Sequence, residues 1–392
     1  MACPLNRMKY PNKSKVGAFY DSYPYPSDPI KSGPPSDFKW YWSFENIYSF
    51  CVGRLPIINP DKSEFSILDA GCGTGLSTLY LAAQNPQAKI IAVDVSSEAL
   101  LLAKDRFAKS GLEGRVDVSF ENIDFFSLNT LLKFNFINSV GVLPHVSEQS
   151  LAIKFLGSLL KDSGIINLVV YAENGRREVN SIKKILQLFG LENNLQDLHK
   201  ARKIIEDLPN DNFLKVDYKN RDDETIMSNS QFADIYMHPF ENTLKVNQLF
   251  ELIDASGLHF LSFYDNLKWD VNRFFSGNLL DAAYQLPFEK QCQLVEELDP
   301  SIDYFRLFLS NRPSQRTLLN DDQLLCSRFK INPSFHLGLK TNFDKSEITN
   351  FDITSEHLEF IGILRSNPGK ALKSLPFCWE ESYTASISRE LY

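Results

Sequence analysis

Paired cysteines are missing from this sequence. The six it has, Cys3, Cys51, Cys72, Cys292, Cys326 and Cys378, are scattered, with no Cys-x-x-Cys pair and no histidine at ligand spacing. That excludes a disulfide framework and a zinc site; no metal is expected, and a reducing cytoplasm fits best. Positive charge is not in excess either: 41 basic residues stand against 49 acidic ones, a net charge of −8. Such a balance argues against a nucleic-acid partner, which needs a strongly positive face. No apolar run is long enough to span a bilayer, and the opening MACPLNRMKYPNKS lacks the apolar stretch of a secretory signal. Repeats and low-complexity tracts are absent. The expectation is a soluble, cytoplasmic protein without membrane association. What is present is an ordinary globular composition, 43% apolar with 30 phenylalanines in 392 residues. That length accommodates one large domain and a smaller one, each with its own core.

From about residue 65 the pattern becomes regular. Phe65 to Leu68 reads as a short buried strand that runs into the turn DAGCGTG, Asp69 to Gly75. Leu76, Leu79, Tyr80 and Ala83 then fall on one helix face. Ile90 to Val93 is a second strand, and Ser96 or Ser97 caps a helix that Gly111 stops. Strands at 116–120, 134–140 and 165–171 follow, with a helix over 150–161. Strands alternating with helices predict a mostly parallel α/β sheet with right-handed crossovers. Residues 174–230 break the rhythm with amphipathic helices at 182–189 and 195–207, and a helix and strand resume at 246–264. Beyond residue 278 the chain reads as helical, over 279–298, 301–312 and 355–366. The organisation expected is an arm over 1–45, a sheet domain over 46–275 with a helical insertion at 174–230, and a small helical domain over 276–392.

The glycine turn is the first functional signal, because Gly71, Gly73 and Gly75 let backbone N–H groups approach a ligand. It is not a dinucleotide fingerprint: G-x-G-x-x-G would place its third glycine at 76, which is Leu76. Asp94 ends the second strand about twenty residues on, where a carboxylate can accept both hydroxyls of a ribose.

LDAGCGTG followed by IIAVDVS, with NID at Asn122 to Asp124 and NSVGVLPHV at Asn138 to Val146, resembles the class I S-adenosylmethionine (SAM)-dependent methyltransferases. The resemblance implies a Rossmann-like, seven-stranded, mostly parallel sheet with helices on both faces, and SAM as cofactor with S-adenosylhomocysteine as product. Residue by residue, it implies that Gly71, Cys72, Gly73 and Gly75 shape the pocket around the methionine part, Cys72 by packing, and that Asp69 holds the ammonium. Asp94 would bind the ribose, with Val95 beside the adenine, while Ile123 and Asp124 meet the adenine edge. The turn from Ser139 to Gly141 would pass beneath the methionine backbone.

The segment FYDSYPYPSDP, Phe19 to Pro29, is similar to the opening of bacterial methyltransferases that carry a regulatory domain, some of which methylate protein lysines. ARKIIEDLP at 201–209, the stretch 234–263 and YFRLFLSNRPSQRTLL at 304–319 agree with that family. It implies an arm packed over the SAM pocket, with Tyr20, Tyr23 and Tyr25 as walls and prolines holding the chain extended. The chain departs from its lysine-methylating relatives at Leu143 and His145, which stand where they carry a tyrosine and a tryptophan. His145 lies just past the fourth strand, where a general base near neutrality would serve. His238, four residues after Asp234, reads as one half of a structural Asp–His pair if that segment is helical. The acceptor expected is an amine or a hydroxyl on a protein or a small molecule, with protein lysine the leading named candidate. A SAM-binding interaction protein without turnover is the alternative.

Overall fold

The computed structural model describes residues 13–56, 65–129, 131–221, 227–313, 321–327, 360, 363–364, 366–367 and 370–375. It divides into two compact units, residues 1–35 with 58–313 and residues 36–57 with 314–392.

The first unit is built on β1 (Ser66–Ala70), β2 (Lys89–Asp94), β3 (Asp117–Asn122), β4 (Phe134–Val140), β5 (Leu160–Ala172), β6 (Thr243–Leu244), β7 (His259–Phe263) and β8 (Tyr304–Ser310). The main path runs β3-β2-β1-β4-β5-β8-β7, with the two-residue β6 beside β5. β1 to β5 pair in parallel, and β8 lies antiparallel between β5 and β7. The expected seven-stranded, mostly parallel sheet is present with helices on both faces. Its helices are α1 (Lys13–Ser22), α3 (Leu76–Gln84) and α4 (Ser97–Lys109), then α5 (Gln149–Ser158), α6 (Arg177–Leu188), α7 (Leu195–Glu206), α8 (Phe213–Arg221), α9 (Asn229–Phe232), α10 (Val246–Ser256), α11 (Gly277–Tyr284) and α12 (Phe288–Leu298). The second unit holds α2 (Phe44–Val52) and α13 (Asp321–Cys326), and there Leu325, Phe360, Leu372 and Leu375 pack together.

Three expectations are corrected. Residues 301–312 are not helical: β8 is a central strand, and Phe305, Leu307, Phe308 and Leu309 are all buried. Contact on both faces erases the alternation by which a strand is read. The helix expected over 279–298 is two, α11 and α12, because Pro287 starts the second. The boundaries also differ from 45 and 275, since β8 ties residues up to 310 into the sheet while residues 36–57 go with the second unit. The helix expected at 355–366 lies mostly outside the described residues.

The insertion has a core of its own, separate from the sheet's. Val179, Ile182 and Leu186 of α6 pack there with Leu198, Ala201 and Ile205 of α7 and with Phe232 and Tyr236. The arm's Phe19 and Tyr23 belong to the same cluster, so α1 is part of the insertion's packing. Among the described residues, no helix is long and apolar enough to cross a membrane.

Candidate functional site

The glycine turn follows β1 with φ of +84° at Gly71, +52° at Gly73 and +80° at Gly75. Gly71 is required twice over, since a Cβ there would stand 2.2 Å from Cγ2 of Val142. Its N–H and that of Cys72 both donate to the Val93 carbonyl, which pins the turn to the end of β2. The Cys72 thiol is buried, as a packing group would be.

Asp69, 1% exposed, braces the turn from below. Its Oδ2 accepts from Ser77 Oγ at 2.7 Å and Thr78 Oγ1 at 2.6 Å, and its Oδ1 from Asn138 Nδ2 at 2.8 Å. Burial pushes this carboxyl upward, and those three donors oppose the shift. The carboxylate expected to meet an ammonium is therefore already bonded to three side chains of the sheet and α3.

Asp94 sits at the tip of β2, its Oδ2 accepting from Gly73 N at 2.8 Å and its Oδ1 from Ser96 N at 2.9 Å. Burial raises its pKa and the two backbone bonds restrain the rise. Next to it, the Val95 carbonyl lies where a Cβ on Gly17 would come within 3.5 Å, so α1 covers Val95. Asp124 caps the 3-10 turn Phe125–Ser127 by accepting from Phe126 N, and Ile123 packs against the main core. Ser139 is buried in β4, and its Oγ has no hydrogen-bond partner among the described residues.

The arm is helical at first and irregular beyond Ser22. Residues 13–22 form α1, contrary to the expectation of an extended segment from Phe19, because no proline falls between Lys13 and Tyr23. Two anchors on α4 fasten it. Asp21 accepts from Ser96 Oγ at 2.8 Å and Glu98 N at 3.2 Å, at the positive end of α4. Burial alone would raise its pKa, but these donors hold it below the ordinary value. Arg106 is buried and donates to three carbonyls: Thr74 at 2.9 Å, Asp28 at 2.8 Å and Pro29 at 3.3 Å. Thr74 in turn donates its N–H to the Tyr25 carbonyl and its hydroxyl to that of Pro26. Gly73 allows this approach, since a Cβ would meet the Tyr25 oxygen at 2.3 Å. Replacing Arg106 with methionine should loosen the arm by about 1–3 kcal/mol. Trypsin should then cut at exposed Lys31 faster by roughly tenfold for each 1.4 kcal/mol lost; unchanged cleavage would sink the anchor.

Beyond β4, the 3-10 turn Leu143–His145 carries His145 into a buried cluster on the same edge of the sheet. His145 is 7% exposed, not a surface turn residue. Its ring centre lies 3.8 Å from that of His238 and 6.1 Å from that of Tyr20, and the ring of Tyr171 stands edge-on at 5.8 Å. The backbone of Phe240 orients both imidazoles. Its carbonyl lies 3.0 Å from Nδ1 of His145, and its N–H donates to Nδ1 of His238 at 3.1 Å. A carbonyl only accepts, so Nδ1 of His145 carries the proton and its Nε2 keeps a lone pair. His238 has the opposite tautomer, with its proton on Nε2. Both Nε2 atoms are buried without a partner among the described residues. Burial lowers both pKa values; the Asp234 charge opposes this at His145, and at His238 the neighbouring His145 adds to it.

The expected Asp234–His238 pair does not form. Asp234 accepts instead from the Tyr20 hydroxyl, at 2.8 Å. Ala233–Met237 is a π-helical turn, whose extra residue moves i and i+4 off a common face. Burial raises the pKa of Asp234 and, much further, that of Tyr20. Tyr25 is held protonated by burial too, whereas Tyr23 packs against Phe19 in the insertion and does not join His145. Sequence reasoning missed Tyr171, Arg176, Lys183 and Glu241. The Arg176 guanidinium lies 4.0 Å over the Tyr171 ring and pairs with Glu241 through two bonds, of 2.9 and 3.0 Å; Lys183 joins Glu241 at 2.6 Å.

A family model described as a methyltransferase domain matches residues 61–200. An uncharacterised protein of Synechococcus sp. is 36% identical over 320 residues, which cover 79% of this chain and 75% of that protein. The malonyl-[acyl-carrier protein] O-methyltransferase of Acetivibrio thermocellus is 30% identical over 105 residues, 27% of this chain and 35% of that enzyme. Among solved structures, PKMT2 from Rickettsia typhi in complex with AdoHcy superposes with a TM-score of 0.58 at 18% identity, covering 90% of this chain and 71% of that one.

Proposed function

Because the chain belongs to the class I SAM-dependent methyltransferases, we propose that it methylates a proton-bearing nucleophile, an amine or a hydroxyl, whose proton passes to His145. The observation that carries this reading is the unpartnered Nε2 lone pair of a neutral, buried imidazole three residues beyond Val142, which packs against Gly71. Protein lysine is the amine named by the resemblance to the bacterial regulatory-domain family.

The residues present suit a bound SAM. Asp94 has acceptor capacity left beside its two backbone bonds, and the orphaned Ser139 hydroxyl faces no competing partner among the described residues. Asp94 would hold the ribose and the turn Gly71–Gly75 the methionine part. SAM supplies an already activated methyl, so the protein's task is alignment and exclusion of water. The arm's Tyr20 walls the cluster, and the Asp234 charge favours the imidazolium that forms.

Calorimetry with S-adenosylhomocysteine tests the cofactor half. Asp94→Asn should weaken binding roughly ten- to hundredfold, as expected for loss of a charge-assisted bond to the ribose. Affinity equal to wild type would remove Asp94 from the site. Incubating a lysate with methyl-labelled SAM and separating protein, RNA and small-molecule fractions tests the acceptor half. Label confined to small molecules excludes protein lysine; tight product binding with no transfer to any fraction leaves a binding module.

A further inference from the structure

We propose that the acceptor atom is the oxygen of a phenolic or enolic hydroxyl, held between Nε2 of His145 and the Nε2–H of His238. The inference rests on the proton-transfer reading above and chooses between its two acceptor classes.

The two imidazoles are set in opposite tautomers by one residue, Phe240, so the pair offers one acceptor and one donor. The ring centres are 3.8 Å apart, and a single group bridging the pair would use two hydrogen bonds of about 2.9 Å, which together span nearly 6 Å. Both nitrogens are buried and unsatisfied among the described residues, a state that costs free energy until something occupies them.

Counting lone pairs decides which group fits. A hydroxyl donates its proton to His145, accepts from His238 with one lone pair and keeps the second for the methyl. A neutral amine has a single lone pair; given to His238 it cannot attack, and given to the methyl it leaves the His238 donor unmatched. A carboxylate has no proton for His145. In the transfer, the oxygen lone pair forms the O–CH3 bond as the S–CH3 bond breaks and its electron pair stays on sulfur, while the hydroxyl proton passes to Nε2. His145 is a weakened base in this setting, so the hydroxyl must be acidic, as phenols and enols are. The flat rings of Tyr20 and Tyr171 beside the pair suit a planar acceptor.

The test uses the full chain, a lysate as acceptor source and methyl-labelled SAM. Hot hydriodic acid should release the incorporated label as volatile methyl iodide, as from an aryl or enol ether, whereas mild base should release none. Label that stays on an amine, or that leaves in mild base as from an ester, overturns the proposal. No transfer above the His145→Asn control would overturn the proton-transfer reading and this inference with it. Two variants isolate His238. Asn keeps the acceptor for Phe240 N–H but lacks the outer donor, and Gln places an amide N–H near the Nε2 position. His238→Asn should lower labelling about tenfold at limiting lysate, with S-adenosylhomocysteine affinity unchanged, and His238→Gln should restore much of it. Equal labelling by the two variants overturns the donor role, since a merely structural histidine would not discriminate between them.

Discussion

Replacing His145 with asparagine should lower kcat by about 10²- to 10⁴-fold, the usual worth of a positioned general base. The asparagine amide reproduces the Nδ1 donor to the Phe240 carbonyl, so the 3-10 turn keeps its tie while the outer nitrogen is lost. The pH profile should separate this from a packing defect. His145 faces Tyr20, Tyr171, Asp234, His238, Glu241 and Lys183. Burial, the largest effect, depresses its pKa from the ordinary value, against the pull of Asp234, the Phe240 carbonyl and Glu241. The wild-type kcat/KM should therefore begin to fall only below about pH 6.5, and the variant should lack that limb. The same shift acts on stability. A histidine depressed in the folded state contributes stability that is present above the unfolded value and is lost as pH falls towards the folded one, because the unfolded chain takes up the proton first. An unchanged kcat, or an acid limb that survives in the variant, would remove His145 from proton transfer.

The parts of this molecule that were legible in its sequence are those in which neighbours along the chain are neighbours in space. The turn from Asp69 to Gly75, Asp94 at the tip of β2 and the cap Ser96 are each local, and each stands where the pattern puts it. β8 was not legible, because a strand buried between β5 and β7 shows neither alternation nor helical period. The arm was half legible: its prolines act from Pro24 onward, while Lys13–Ser22 is helical and docks on the insertion through Phe19. The site beyond the cofactor turn was the least legible. Tyr20 and Asp234 meet across 214 positions, and Arg176 and Glu241 across 65. The opposite tautomers of His145 and His238 come from one backbone residue that no motif marks. Polar clusters of this kind depend on tertiary placement, which the spacing of residues along the chain does not display.

Glu241→Ala should destabilise the fold by about 3–5 kcal/mol, more than any surface ion pair would, because it strips two buried cations of their one shared partner. Glu241, Arg176 and Lys183 are nearly enclosed: their side chains are 5%, 8% and 13% exposed. Burial works against every charge here. The carboxylate still ends below its ordinary pKa because Arg176 and Lys183 both face it, whereas the Lys183 ammonium, sharing that carboxylate with Arg176, ends below its own. Glu241 thus adds stability that is present above about pH 4.5 and lost as the pH falls through its lowered folded value. The network joins the turn after β5, which holds Arg176, to α6, which holds Lys183, and to the residue following Phe240. Its loss should release the backbone that sets both imidazoles, so activity should fall even where the variant remains folded. Urea unfolding gives the stability change directly. Adding Lys183→Met removes one of the stranded cations, so the double variant should recover part of the loss. A drop below about 1 kcal/mol, or a double variant weaker than Glu241→Ala alone, would mean that the cations find other partners and that the network does not hold the site.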